Sequence, residues 1–169
     1  QIDESRKILE LGAAPGSWSL YILRRFSGRG FLAACDLSPL SRRLDQGLFD
    51  GQNFFFKQAD IFAAETQAEL NALGPFSLIL SDAAPPTSGG RLVDAARQAE
   101  LALAAISYAR AALKRGGNFC AKIFQGTDTA TFIKETRPLF NTLKTFKPKA
   151  CRPSSFETYV VGIGFKTQS

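Results

Sequence analysis

ILELGAAPGSWSLYILRRF, residues 8–26, passes from an apolar run through a loop of small residues into an amphipathic stretch. Ile8 to Leu11 reads as the end of a buried strand, and Ser17 onward as a helix. The loop between them holds Gly12 and Gly16, which let a backbone turn tightly and approach a ligand, and Pro15, which stiffens it. The helix that follows offers free N–H groups at its start. A strand, a small-residue loop and a helix in this order point to a ligand resting on the loop. Gly-x-x-x-Gly differs from the G-x-G-x-x-G of a dinucleotide cradle, which argues against a nicotinamide dehydrogenase.

The alternation continues outward from this unit. GFLAACD (30–36), NFFFKQAD (53–60), FSLILSD (76–82) and GNFCAKIF (117–124) read as further strands. AAETQAELNAL (63–73), the Ala- and Leu-rich stretch 91–115 and ATFIKETRPLF (130–140) read as helices, the last at least up to Pro138. Lys114-Arg115-Gly116-Gly117 reads as a helix end, with cations in the last turn and glycine beyond it. LKTFKP (143–148) and ETYVVGIGF (157–165) have no helix between them and are expected to pair as an antiparallel hairpin. Strands alternating with helices define an α/β domain on a mostly parallel sheet, whose ligands sit outside the carboxyl ends of the strands.

The chain has 169 residues, long enough to bury a core, and none of its apolar runs approaches the roughly 20 residues that span a bilayer. The expectation is one domain, cytoplasmic and monomeric. Of the three cysteines, Cys35 and Cys120 sit in apolar runs as buried thiols, and Cys151 lies in a basic loop. The absence of histidine removes Ser-His-Asp triads, Cys-His dyads and most catalytic zinc sites, and no metal is expected. Net charge is +6, which favours an anionic partner such as nucleic acid. The basic residues cluster at Arg24, Arg25 and Arg29, and again from Lys134 to Arg152, where the only acid is Glu135. Either cluster could also be a plain solvated face.

Three acids end strands: Asp36, Asp60 and Asp82. Each could serve only as a turn former. Together they suit a nucleoside, with Asp36 accepting from the ribose hydroxyls and Asp60 reaching an adenine amino group. Three carboxylates without a phosphate-binding lysine repel a triphosphate and welcome an ammonium and a sulfonium. S-adenosylmethionine carries both, so methyl transfer is the reaction the loop suggests. SDAAPPTSGG (81–90) lacks the acid-Pro-Pro-aromatic pattern that serves amine methylation. Lys122 lies inside an apolar strand, either snorkelling from its end or held at a site. Burial lowers a lysine's pKa and a nearby carboxylate raises it. If the last strand runs antiparallel beside the fifth, Asp82, Lys122 and Glu157 fall in one row roughly 10 Å long. Such a row would orient or deprotonate a hydroxyl, for example a ribose 2′-OH. Trp18 could simply cap the packing of helix on sheet.

LELGAAPGSWS, CDL (35–37), QAD (58–60), SDAAP, AKIFQG (121–126), KP (147–148) and SSFETYVVG (154–162) resemble the FtsJ/RrmJ family of ribosomal RNA 2′-O-ribose methyltransferases. The ordered match covers nearly the whole chain. The resemblance implies a class I, Rossmann-like methyltransferase fold with seven strands in the order 3-2-1-4-5-7-6. It implies S-adenosylmethionine contacts from Gly12, Ala13, Pro15, Gly16, Trp18, Asp36, Leu37, Asp60, Ile61 and Asp82. It further implies a Lys-Asp-Lys-Glu tetrad whose last three members are Asp82, Lys122 and Glu157, with Lys122 central. The implied partner is ribosomal RNA or the large ribosomal subunit, and the implied target is a uridine ribose. The sequence departs from the family at PGSW, at PTSGG and at KPKACRPSSFE. The tetrad's first lysine belongs to a helix upstream of strand one. QIDE (1–4) resembles the tail of that helix, so an upstream segment is expected. Lys7 cannot replace that lysine, because five residues of strand place it ~16 Å from the ligand end. Two other readings remain: a non-catalytic RNA-binding module on the same fold, and a methyltransferase for a protein or small molecule.

Overall fold

The structure is a computed structural model that describes residues 6–26, 29–86, 89–148 and 156–166. Seven strands form one sheet: β1 (Lys7–Leu11), β2 (Phe31–Asp36), β3 (Phe54–Gln58), β4 (Phe76–Ser81), β5 (Leu113–Phe124), β6 (Phe140–Phe146) and β7 (Glu157–Phe165). Four helices accompany them: α1 (Ser17–Phe26), α2 (Ala64–Ala72), α3 (Arg91–Ala112) and α4 (Thr127–Thr136). The strand order is β3-β2-β1-β4-β5-β7-β6, as the family resemblance implies. β1 to β5 pair in parallel, and β7 runs antiparallel to both β5 and β6.

The central strands are buried on both faces, which is why they read as continuous apolar runs. On one face Leu9, Leu11, Ile79, Phe119 and Ala121 join the small side chains of α3 in the larger core. The Ala-rich surface of α3 lets it lie close to β5. On the other face Ile8, Leu32 and Leu80 meet Leu20, Ile22, Leu23 and Phe26 of α1. Those four apolar positions recur at helical spacing, and Arg24 and Arg25 fall in the last turn, where cations suit the helix dipole. Each fully buried Leu, Ile or Phe contributes about 1.5–3 kcal/mol by burial.

Two expectations need correction. Residues 113–117 are not a helix end. α3 stops at Ala112, and Leu113 is already extended and paired with Phe76. The next pair is Leu78 with Asn118, so 114–117 bulge out of β5. Cations followed by glycine serve a bulge as readily as a helix terminus, and the burial of Leu113 against β4 settles the matter. β6 also starts at Phe140, three residues before LKTFKP, because Pro138 sits in a short 3-10 turn at Arg137–Leu139 that ends the helical segment.

Candidate active site

The site begins where the chain leaves β1. Gly12 has φ +77°, and a side chain there would meet the backbone of Ala83 at 2.3 Å. The amide of Asp82 donates to the Leu11 carbonyl at 3.0 Å, and that of Gly12 donates to the Cys35 carbonyl at 2.9 Å. These contacts draw the ends of β1, β2 and β4 together at one edge. Only a residue without Cβ allows so close an approach.

A cavity of about 210 Å³ opens there, lined by Gly12, Asp36, Leu37, Asp60, Ile61 and Phe62 together with Ala59, Ala83, Ala84 and Leu101. Five of the residues expected to hold cofactor therefore share one cavity. Asp36 is fixed by two amides, with Ala14 donating to Oδ2 at 2.9 Å and Ser38 to Oδ1 at 2.8 Å. Asp60 accepts from the Phe62 amide at 2.9 Å, so it also forms the local turn weighed above. Two carboxylates lining a mostly apolar slot fit a nucleoside, with polar groups for its hydroxyls and amine and Leu37, Ile61 and Phe62 for its base.

Ala13, Pro15, Gly16 and Trp18 do not line this cavity. Ala13 is buried, with its amide donating to the Cys35 carbonyl. Pro15 is exposed, and its carbonyl accepts from Ser41. Gly16 packs beside Phe49. Trp18 lines a separate apolar hollow of about 480 Å³ with Tyr21, Ile22, Leu80 and Cys120. It stacks on Tyr159 with ring centroids 5.9 Å apart.

Lys122 is held, not snorkelling. It is 7% exposed. Its Nζ lies 3.2 Å from Asp82 Oδ1 and donates to the Asp82 carbonyl at 2.9 Å. Tyr159 donates from its hydroxyl to the same Asp82 Oδ1 at 2.8 Å. Burial, with the Asp82 hydrogen bond adding, pushes the Tyr159 hydroxyl well above its usual range, so it acts as a donor. Register explains the grouping, since Lys122 pairs with Tyr159 across β5 and β7. The expected row is thereby corrected. Tyr159, rather than Glu157, stands opposite Lys122. Glu157 pairs with Phe124, on the same face and about 7 Å further along the strand.

Two residues missed in the sequence support this group. Gln98, 1% exposed on α3, donates from Nε2 to the Ala83 carbonyl at 3.0 Å and the Lys122 carbonyl at 2.9 Å. It ties β5 to the segment that follows Asp82. Glu10, also 1% exposed, accepts from the Ser19 hydroxyl at 2.6 Å. Burial pushes its carboxyl up to about 8, with Asp82 and Asp36 adding to the rise. An acid inside KILEL was a visible signal, whereas Gln98 looked like one polar residue on an Ala-rich helix.

The basic clusters are partly described. Arg24, Arg25, Arg29, Lys134, Arg137, Lys144 and Lys147 are exposed. Lys149, Cys151, Arg152 and the segment QIDE lie outside the described residues. Cys35 and Cys120 are free thiols pushed up to about 11 by burial, which makes them inert. Among the described residues no helix is long and apolar enough to cross a membrane.

The sequence model of a family described as FtsJ-like methyltransferase matches residues 1–165. A Ribosomal RNA large subunit methyltransferase E of Treponema denticola is 45% identical over 160 residues, covering 95% of this chain and 78% of that protein. One of the same name from Nitratidesulfovibrio vulgaris is 41% identical over 165 residues, covering 96% and 79%. Among solved structures, a ribosomal RNA methyltransferase from Plasmodium falciparum superposes with TM-score 0.82 at 24% identity, covering 99% of this chain and 91% of that one. Aeropyrum pernix fibrillarin, solved with S-adenosyl-L-methionine bound, gives 0.64 at 18% identity, covering 96% and 68%. These two likenesses speak to the fold alone.

Proposed function

This chain belongs to the FtsJ-like methyltransferase family, and from that premise we propose that Lys122, anchored on Asp82, orients a ribose 2′-hydroxyl of large-subunit ribosomal RNA for methylation. The protein is an S-adenosylmethionine-dependent RNA methyltransferase. When bound, S-adenosylmethionine supplies a methyl group activated by a sulfonium. Asp36 and Asp60, with Leu37, Ile61 and Phe62, would hold its nucleoside in the cavity beside Gly12.

The observation that carries the reading is the group Lys122, Asp82 and Tyr159 at the same strand edge as that cavity. An ammonium has three hydrogens to give. One of those on Lys122 goes to the carbonyl of Asp82, while the charge pairs with the Asp82 carboxylate. The ammonium keeps hydrogens for a hydroxyl oxygen, which it would hold with a lone pair turned toward the methyl. Tyr159 fixes the carboxylate that fixes the lysine. Displacement at a methyl carbon needs oxygen, carbon and sulfur in line, so such fixing supplies much of the rate. Glu157 stands on the same face beyond this group, where its carboxylate would take the proton the hydroxyl gives up as the carbon–sulfur bond breaks and the oxygen–carbon bond forms. The target is a uridine, and the protein acts as a cytoplasmic monomer where its RNA is.

Lys122→Ala tests the assignment. Transfer of labelled methyl to unmodified large ribosomal subunits should fall by at least about 10²-fold, while binding of S-adenosylmethionine, followed by calorimetry, stays within error. Retained transfer would remove Lys122 from the reaction.

A further inference from the structure

The bulge at Lys114-Arg115-Gly116-Gly117 has no part in the site above, yet it builds a second concave surface. Gly116 has φ +76° with open space around it, which lets the chain double back, so Lys114 and Arg115 stand exposed at the amino edge of the sheet. There Lys114 joins Arg6, Lys7, Ser77 and Asn118 around a cleft of about 270 Å³. Pro75 and Gly116 complete the wall, so among the described residues its lining holds three cations and no acid.

Some surface cations of this protein find carboxylates. Lys57 pairs with Glu69, and Arg42 with Asp45 and Asp50. Lys7 and Lys114 form no ion pair among the described residues. Lys7 instead lies over the Phe31 ring at 5.5 Å. Like charges converging from β1 and the β5 bulge repel one another unless an anion sits between them. The polar groups are also braced. The Ser77 hydroxyl donates to the Lys7 carbonyl at 3.0 Å, and the Gly164 amide donates to Asn118 Oδ1 at 3.2 Å, leaving the amide nitrogen of Asn118 as a donor.

We propose that this cleft at the amino edge, walled by Lys7 and Lys114, is a second RNA contact that holds backbone phosphates. Ser77 and Asp82 are five residues apart, so the cleft is about 16 Å from the reacting edge. It therefore grips RNA away from the target nucleotide and sets position rather than sequence. The inference rests on the RNA methyltransferase reading and adds where the RNA runs.

The test measures binding of a fluorescent fragment of unmodified large-subunit ribosomal RNA across a salt series. The comparison is wild type, Lys114→Gln and Lys57→Gln, the last removing an equal charge elsewhere. Lys114→Gln should flatten the slope of log affinity against log salt by about 0.7–0.9, the value of one lost phosphate contact. Lys57→Gln should leave the slope unchanged. Methyl transfer at saturating RNA should be equal in all three proteins. If both variants match wild type in slope, the cleft does not bind RNA and the inference is overturned while the enzyme reading stands. If Lys114→Gln loses only binding of inorganic phosphate, the cleft serves free anions and the RNA assignment is likewise overturned. If wild type fails to bind the RNA at all, the substrate reading falls first.

Discussion

At the carboxyl edge of the parallel strands the chain places Asp36, Asp60 and Asp82, and Lys122 is held by one of them. At the amino edge Arg6, Lys7 and Lys114 surround a cleft that holds no acid among the described residues. β1, β4 and β5 run from one edge to the other, and β2 and β3 bring Asp36 and Asp60 to the first. The acidic edge suits a cationic cofactor and holds its lysine by short, buried contacts. The basic edge suits a polyanion, with Lys114 exposed and Lys7 half-buried beside it. One edge is built for chemistry, where a shift of an ångström matters. The other is built for grip, where total charge matters and geometry matters less. Substitutions should therefore sort by edge, with rate lost at the first and salt dependence changed at the second.

The largest effect after Lys122→Ala is expected from Gly12→Ala. The added methyl would meet the Ala83 backbone at 2.3 Å, so the ends of β1 and β4 must separate. Binding of S-adenosylmethionine should fall beyond the reach of calorimetry while circular dichroism shows a folded protein. Normal binding would mean that the nucleoside cavity does not depend on this approach.

Gln98→Leu should cost less. It leaves the Ala83 and Lys122 carbonyls without their buried donor, a loss of about 1–3 kcal/mol in a urea titration. It should also lower kcat more than it raises the KM for RNA, because it loosens Lys122 rather than the RNA contacts. An equal change in both would make Gln98 a purely structural residue. Tyr159→Phe comes next. It removes one hydrogen bond to Asp82 and keeps the ring on Trp18. A drop of roughly tenfold in kcat is expected, corresponding to about 1.4 kcal/mol. An unchanged rate would show that Asp82 is already fixed by Lys122 alone.

Glu10 acts on stability rather than on rate, and with the clearest sign. Its carboxyl titrates near 8 in the folded protein, against 4.5 as its ordinary value. Between those values the unfolded chain has lost a proton that the folded chain keeps. Stability thus declines as pH rises from about 4.5 and the loss is complete above about 8. Glu10→Gln should flatten that decline in thermal melts. An unaltered slope would mean that Glu10 is ionised in its burial site.

The carboxyl edge was largely legible in the sequence because local pattern and chemistry coincide there. A glycine loop follows an apolar run, acids follow strands, and a lysine interrupts AKIF. Asp36 and Asp60 were found by these signals, Leu37 came with the family resemblance, and all three share a cavity. Tyr159 was not found, although ETYVVG places it one alternation from Glu157. Which of the two faces Lys122 depends on the register of β7 on β5, a long-range property that turn and core packing set together. The amino edge was hardly legible. Lys114-Arg115-Gly116-Gly117 carries the same local signal at a helix terminus as in a bulge, and only the pairing of Leu113 with Phe76 distinguishes them. Trp18 carried two readings, a cofactor contact from the motif and helix-on-sheet packing from its position, and its ring stacks on Tyr159.

The position of the methyl group tests the central claim most directly. The protein is given labelled S-adenosylmethionine and unmodified large ribosomal subunits, and the recovered RNA is treated with alkali. A methyl on the ribose 2′-oxygen blocks cleavage of the adjoining phosphodiester, so the label should appear in an alkali-resistant dinucleotide, and Lys122→Ala should abolish it. Label recovered in single nucleotides, carried on a base, would contradict the account, because it would mean that the Asp82, Lys122 and Tyr159 group does not present a ribose hydroxyl.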